Sequence, residues 1–93
     1  MTKEKRYEES GGEGGLGDGY ALMLVNDDIN TFDHVIESLV EICDHYPEQA
    51  EQCAYITHHK GSCDIKRGSR SELYKMRRRL SDKRLTVDVI RIV

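Results

Sequence analysis

YALMLVNDDINTF, residues 20–32, is the stretch on which the reading of the whole chain turns. Tyr20 to Val25 is a continuous apolar run, the pattern of a central strand covered on at least one face. It stops abruptly at Asn26, Asp27 and Asp28, where the backbone leaves the sheet in a polar turn. A helix follows. Phe32, Val35, Ile36, Leu39, Val40 and Cys43 recur at helical spacing as one apolar stripe, Asn30 or Thr31 is placed to cap it, and Asp33 sits favourably in its first turn.

Working outward, Asp44, His45 and Tyr46 interrupt the stripe, and Pro47 suits the first position of a second helix. Ala50, Cys53, Ala54 and Thr57 give that helix a small-residue face against which another element can pack closely. Gly61 ends it. Cys63 and Ile65 then face inward from a short strand, and Ser69 with Glu72 forms a capping box for a third helix whose stripe is Leu73, Met76 and Leu80. Leu85 to Val93 reads as a last strand that is apolar on both parities, which predicts central pairing. The order β-α-α-β-α-β predicts an α+β fold, a small three-stranded sheet covered by three helices.

Composition sets the scale. A chain of 93 residues with 38% hydrophobic and 33% charged residues suits one domain, burying about 60–65% of its unfolded surface. No stretch approaches the roughly 20 apolar residues of a membrane span. Residues 1–19 lack the pattern of a secretory or organellar leader, so a cytoplasmic protein is expected. They hold six of the eight glycines, which predicts a flexible N-terminal arm ahead of a core at 20–93. Charge is segregated: no Lys or Arg falls between Arg6 and Lys60, whereas Arg67, Arg70, Lys75, Arg77, Arg78, Arg79, Lys83 and Arg84 crowd the end. Cys43, Cys53 and Cys63 contain no close pair, so reduced structural thiols are expected and neither a disulfide framework nor a zinc knuckle is signalled.

An Asn-Asp-Asp turn before a capped helix is, taken alone, ordinary turn chemistry. Read together with the amphipathic helix from Phe32, the alanine-bearing second helix ending in Thr57-His58-His59-Lys60-Gly61, and the final strand, it resembles the ClpS adaptor family over roughly residues 20–93. The resemblance implies a fold like that of the ribosomal stalk protein's C-terminal domain. It also implies a non-catalytic adaptor that recognises N-degrons, proteins with a bulky hydrophobic first residue and a free α-amine, and delivers them to a Clp AAA+ unfoldase and its peptidase.

The same resemblance assigns residues. Asn26, Asp27 and His58 match the positions that hold the α-amine, a group with three donors and no acceptor. Ile29, Asn30, Phe32, Val35, Ala54, Thr57 and Leu85 match the hydrophobic pocket. Glu72 and Arg77 are possible counterparts of the surface that docks on the N-domain of a ClpA- or ClpC-type unfoldase, and residues 1–19 match the extension used during substrate transfer. This chain departs from the family pattern in having Asn30-Thr31-Phe32 after the acidic string and Ala54 in place of a methionine common in the second helix. A monomer with no cofactor, no metal and no membrane or nucleic-acid partner is expected.

The alternative is a small nucleic-acid-binding protein using the basic third helix. The acidic first half and the scarcity of aromatic residues near the arginines weigh against it. A metal site is disfavoured because the His and Cys spacings match no zinc signature. The absence of G-x-S-x-G, P-loop and HExxH motifs disfavours an enzyme.

Overall fold

A computed structural model describes residues 19–92; the predicted N-terminal arm falls outside the described residues except for Gly19. The elements are β1 (Tyr20–Val25), α1 (Phe32–Cys43), α2 (Pro47–Lys60), β2 (Ser62–Gly68), α3 (Arg70–Asp82) and β3 (Val87–Arg91). This is the α+β order read from the sequence.

Local chemistry sets the boundaries. Thr31 caps α1, its side chain accepting the His34 N–H at 3.1 Å. Asp44 ends α1 in the left-handed region, and the His45 N–H returns to the Leu39 carbonyl. Pro47 opens α2, and Gly61 closes it at φ 97° with its N–H on the Thr57 carbonyl. Ser69 caps α3: its Oγ accepts the Glu72 N–H at 3.3 Å while its hydroxyl lies 3.1 Å from Glu72 Oε1.

The sheet has the order β2-β1-β3, and both pairings are antiparallel. β1 is central, as its uninterrupted apolar run predicts. β3 is an edge strand, which corrects the central pairing expected for it. Its first parity, Val87 and Val89, lies opposite Leu24 and Leu22 on the helix-covered face. Its second parity leaves Ile90 at 39% exposure, so apolar residues on both parities did not mean burial on both faces. Between Leu22 and Met23 the β1–β2 register slips, and Ile65 is the extra residue of a bulge. Ile65 is buried, and its carbonyl meets His45 Nε2 at 2.6 Å, fastening the α1–α2 corner to β2.

The core is aliphatic. Leu22, Leu39, Leu73 and Leu80 are almost wholly removed from solvent, each burial contributing about 1.5–3 kcal/mol. Cys43 and Cys53 belong to the same cluster, in which residues of all three helices meet residues of all three strands. That packing brings the last residues of β1 alongside the C-terminal half of α2.

Candidate functional site

Where β1 ends, two backbone bonds point in different directions. The Val25 N–H donates to the Thr86 carbonyl and the Asn26 N–H to the Gly61 carbonyl, both at 2.9 Å. The end of the strand is thereby clamped between the segment preceding β3 and the C-terminus of α2.

The loop that follows is organised by Asp27. Its Oδ1 accepts the N–H groups of Ile29 and Asn30 and the Asn30 side-chain amide, each at 3.1 Å. Its Oδ2 accepts the Asn30 amide at 3.1 Å and the Thr86 hydroxyl at 2.9 Å. Partial burial of this carboxyl raises its pKa, but the hydrogen bonds from Asn30, Thr86 and Ile29 outweigh that and hold it below its ordinary value of 3.8. Asn30 Nδ2 also donates to the Arg84 carbonyl at 2.8 Å, and His34 Nε2 lies 2.7 Å from the Lys83 carbonyl. Residues 26–31 are thus tied to the α3–β3 turn, not only to their own helix.

Between this loop, the start of α1 and the C-terminal half of α2 lies an open cleft of about 420 Å³. Leu24, Phe32, Val35 and Ala54 form its apolar wall, and Asn26, Asp27, Asp28 and His58 form a polar side, with Val25, Asn30, Thr31 and Thr57 completing the lining. The His58 ring stands edge-on to Phe32, with centroids 5.3 Å apart, and also meets His59 at 5.2 Å. Ala54 and Thr57 are buried, whereas Asn26 and His58 are exposed. Such a surface offers acceptors and negative charge next to a recess for an apolar group.

Eight of the ten residues expected at the site come together here: Asn26, Asp27, His58, Asn30, Phe32, Val35, Ala54 and Thr57. The other two lie elsewhere. Ile29 is 83% exposed and does not line the cleft; Leu85 is a core residue at 4% exposure. Glu72 and Arg77 lie on α3, outside the cleft. Glu72 serves the helix cap, and Arg77 donates from Nε to the Val87 carbonyl at 3.3 Å.

Leu24, Val25, Asp28 and Thr31 line the cleft without having been singled out as site residues. The signal for Leu24 was its place near the end of the strand that opens onto the polar turn.

Burial raises all three thiols, Cys43 to about 11 and Cys63 to about 12, and Cys53 in the same direction. Among the described residues no group of three or more His, Cys, Asp and Glu converges as a metal site, and no helix is long and apolar enough to cross a membrane.

Fold and cleft together define a small α+β binding module, with acceptors beside an apolar recess. The model of one protein family, the ATP-dependent Clp protease adaptor protein ClpS, matches residues 17–87. The chain belongs to that family. Among solved structures it is similar to Agrobacterium tumefaciens ClpS2 bound to L-phenylalaninamide, with a TM-score of 0.74 and 19% sequence identity over 77% of this chain and 94% of that one. Comparison with curated proteins gives no match.

Proposed function

We propose that the cleft holds the first residue of a protein destined for a Clp protease, the α-amine on the polar side and the side chain in the apolar recess. The chain is then an N-degron adaptor, as its family membership implies, and the cleft is where selection takes place. One observation carries the reading: Asn26, Asp27 and His58 line the same cleft as Phe32, Val35 and Ala54, although they come from two distant parts of the sequence. L-phenylalaninamide, the ligand of the similar structure, has the two features this cleft would read, a free amine and an apolar side chain.

Energetics require both features. A hydrogen bond to a charged group contributes about 1.5–3 kcal/mol and burial of one large apolar side chain about 1.5–3 kcal/mol. Association itself costs about 4–15 kcal/mol. An internal segment offers no ammonium, and a small first residue buries too little surface, so neither binds well. Asn26 Oδ1 and a His58 ring nitrogen are the acceptors that would receive the amine. Asp27 contributes mainly its charge and the shape of the loop, since its oxygens are already engaged.

The adaptor acts as a non-catalytic monomer that passes its cargo to the N-domain of a ClpA- or ClpC-type unfoldase, with the third helix around Glu72 and Arg77 as the docking face and residues 1–19 assisting transfer. The nucleic-acid alternative is not favoured. The decisive experiment titrates pairs of peptides beginning with Phe, one with a free amine and one acetylated. Binding of the free form alone supports the reading, and equal binding of both overturns it.

A further inference from the structure

Beside the groups assigned to the amine, Thr57 and Asn30 also line the cleft, and the structure shows where their hydrogens go. Thr57, on α2, donates its only hydroxyl hydrogen to the Cys53 carbonyl at 2.7 Å and is 5% exposed. Asn30 commits its amide nitrogen to the Asp27 carboxylate at 3.1 Å and to the Arg84 carbonyl at 2.8 Å. An amide nitrogen facing three acceptor oxygens fixes which end of the group is nitrogen and which is oxygen. Among the described residues no donor reaches Asn30 Oδ1. What these two residues retain for a ligand is therefore acceptor capacity alone.

An acceptor that a ligand covers without supplying a donor loses its water and gains nothing in return. A site of this kind favours ligands that carry the matching donor over isosteres that lack it. Phenol and indole are aromatic groups that fill an apolar recess and carry one O–H or N–H that needs a partner once buried. Ala54, small and 4% exposed, leaves room beside Thr57 for a large ring.

Resting on the reading of the cleft given above, we propose that Asn30 and Thr57 are specificity-determining residues that favour a first residue with a donor-tipped aromatic ring, Tyr or Trp, over Phe and Leu.

The test is a titration of the full chain with peptides identical except for a first Tyr, Trp, Phe or Leu, each with a free and an acetylated amine. Tyr and Phe differ by one hydroxyl, so their affinity ratio isolates the acceptors. The expected result is Tyr and Trp bound about tenfold more tightly than Phe, one good hydrogen bond's worth. Thr57→Val keeps the side-chain shape and should lower the Tyr:Phe ratio several-fold; because Thr57 lines the cleft, the ratio is read and not either absolute affinity. Asn30→Ala should also lower the ratio; because it loosens the Asp27 loop, the ratio is read and not the absolute affinity. If Phe binds as tightly as Tyr and Trp while the free amine is still required, this inference is overturned and the reading of the cleft stands. A ratio unchanged in both variants removes Asn30 and Thr57 as its cause. Failure of every free-amine peptide to bind overturns the cleft reading, and this inference with it.

Discussion

Thr86 donates its hydroxyl to Asp27 Oδ2 across 2.9 Å, joining the segment before β3 to a loop 59 residues earlier. The contact is exposed, yet it sits where three parts of the chain meet: the end of β1, the loop into α1 and the approach to β3. Asp27 holds this junction through one carboxylate that also receives two backbone N–H groups and the Asn30 amide. The shape of the proposed amine-binding side thus depends on a residue far away in sequence.

Thr86→Val tests that dependence, since it removes the donor and keeps the branched shape. The acceptor is an ionised carboxylate, but solvent screening at this exposed contact holds the bond to about 0.5–1.5 kcal/mol, so the fold should survive with a small fall in melting temperature. Affinity for a free-amine Phe peptide should drop about three- to tenfold, the same energy expressed as binding. Calorimetric titration beside a thermal melt separates the two effects; an unaltered affinity would show that the loop keeps its shape without this tie.

The acid limb of stability is a second consequence. The folded-state pKa of Asp27 is depressed below 3.8, because hydrogen bonds to its ionised form outweigh the opposing effect of burial. A depressed carboxyl contributes stability that is present above its unfolded pKa and lost as pH falls through the folded one. Asp27→Asn removes that contribution, so the stability difference between wild type and variant should shrink steadily below about pH 4, the ordinary carboxylate range. Urea unfolding at pH 7, 4 and 2.5 reads it. A difference that stays constant across those three values would mean that Asp27 does not titrate with folding.

Much of this architecture is legible in single residues because the controlling interactions are local. Thr31, Pro47, Gly61 and Ser69 mark helix ends by capping, a fixed φ or a left-handed turn, and each acts within four residues of itself. The position of β3 is not of this kind. Whether a strand lies at the centre or the edge depends on which partners reach it, and Val87–Arg91 has the same composition in either case. The bulge that inserts Ile65 is likewise a property of the β1–β2 pairing. In the site, the Asn-Asp-Asp string and His58 mark the polar side, whereas the directions of Ile29 and Leu85 do not follow from spacing. Ile29 sits exposed in a loop whose backbone is held by Asp27, and Leu85 is buried where the α3–β3 turn closes, its N–H on the Leu80 carbonyl. The link from Asn30 to Arg84 spans 54 residues and leaves no trace in either neighbourhood.

Phe32 and His58 should behave as a coupled pair. Their rings meet edge-on at 5.3 Å, one from the start of α1 and one from the end of α2, and both line the cleft. Phe32 is 45% exposed, so Phe32→Ala should destabilise the fold by well under the about 3–5 kcal/mol seen for buried aromatics. Its main effect should be on binding, about tenfold weaker for a Phe peptide, since both the apolar wall and the support of His58 are lost. His58→Ala should lower affinity comparably. The double variant should lose less than the product of the two, because side chains in contact are not additive. Strict additivity in a binding cycle would show that the rings act independently.

Gly61 offers the cleanest separation of backbone from side chain. It sits at φ 97°, and a Cβ built there would meet nothing within 4 Å. Replacement by Ala therefore introduces no clash with its surroundings, and its whole penalty is backbone strain in a region that L-residues avoid. That strain is about 1–2 kcal/mol, which for a domain of this size lowers the melting temperature by roughly 4–16 °C. The carbonyl of Gly61 also accepts the Asn26 N–H at 2.9 Å, so relaxation of the strained residue would shift the anchor beneath Asn26. Gly61→Ala should accordingly weaken amine-dependent binding beyond what lost stability explains, measured well below its melting temperature where the protein is fully folded. Gly61→Asn, which tolerates the left-handed region better, should recover part of both effects. If Ala lowers the melting temperature and Asn restores it while binding never changes, Gly61 closes the helix and has no part in positioning Asn26.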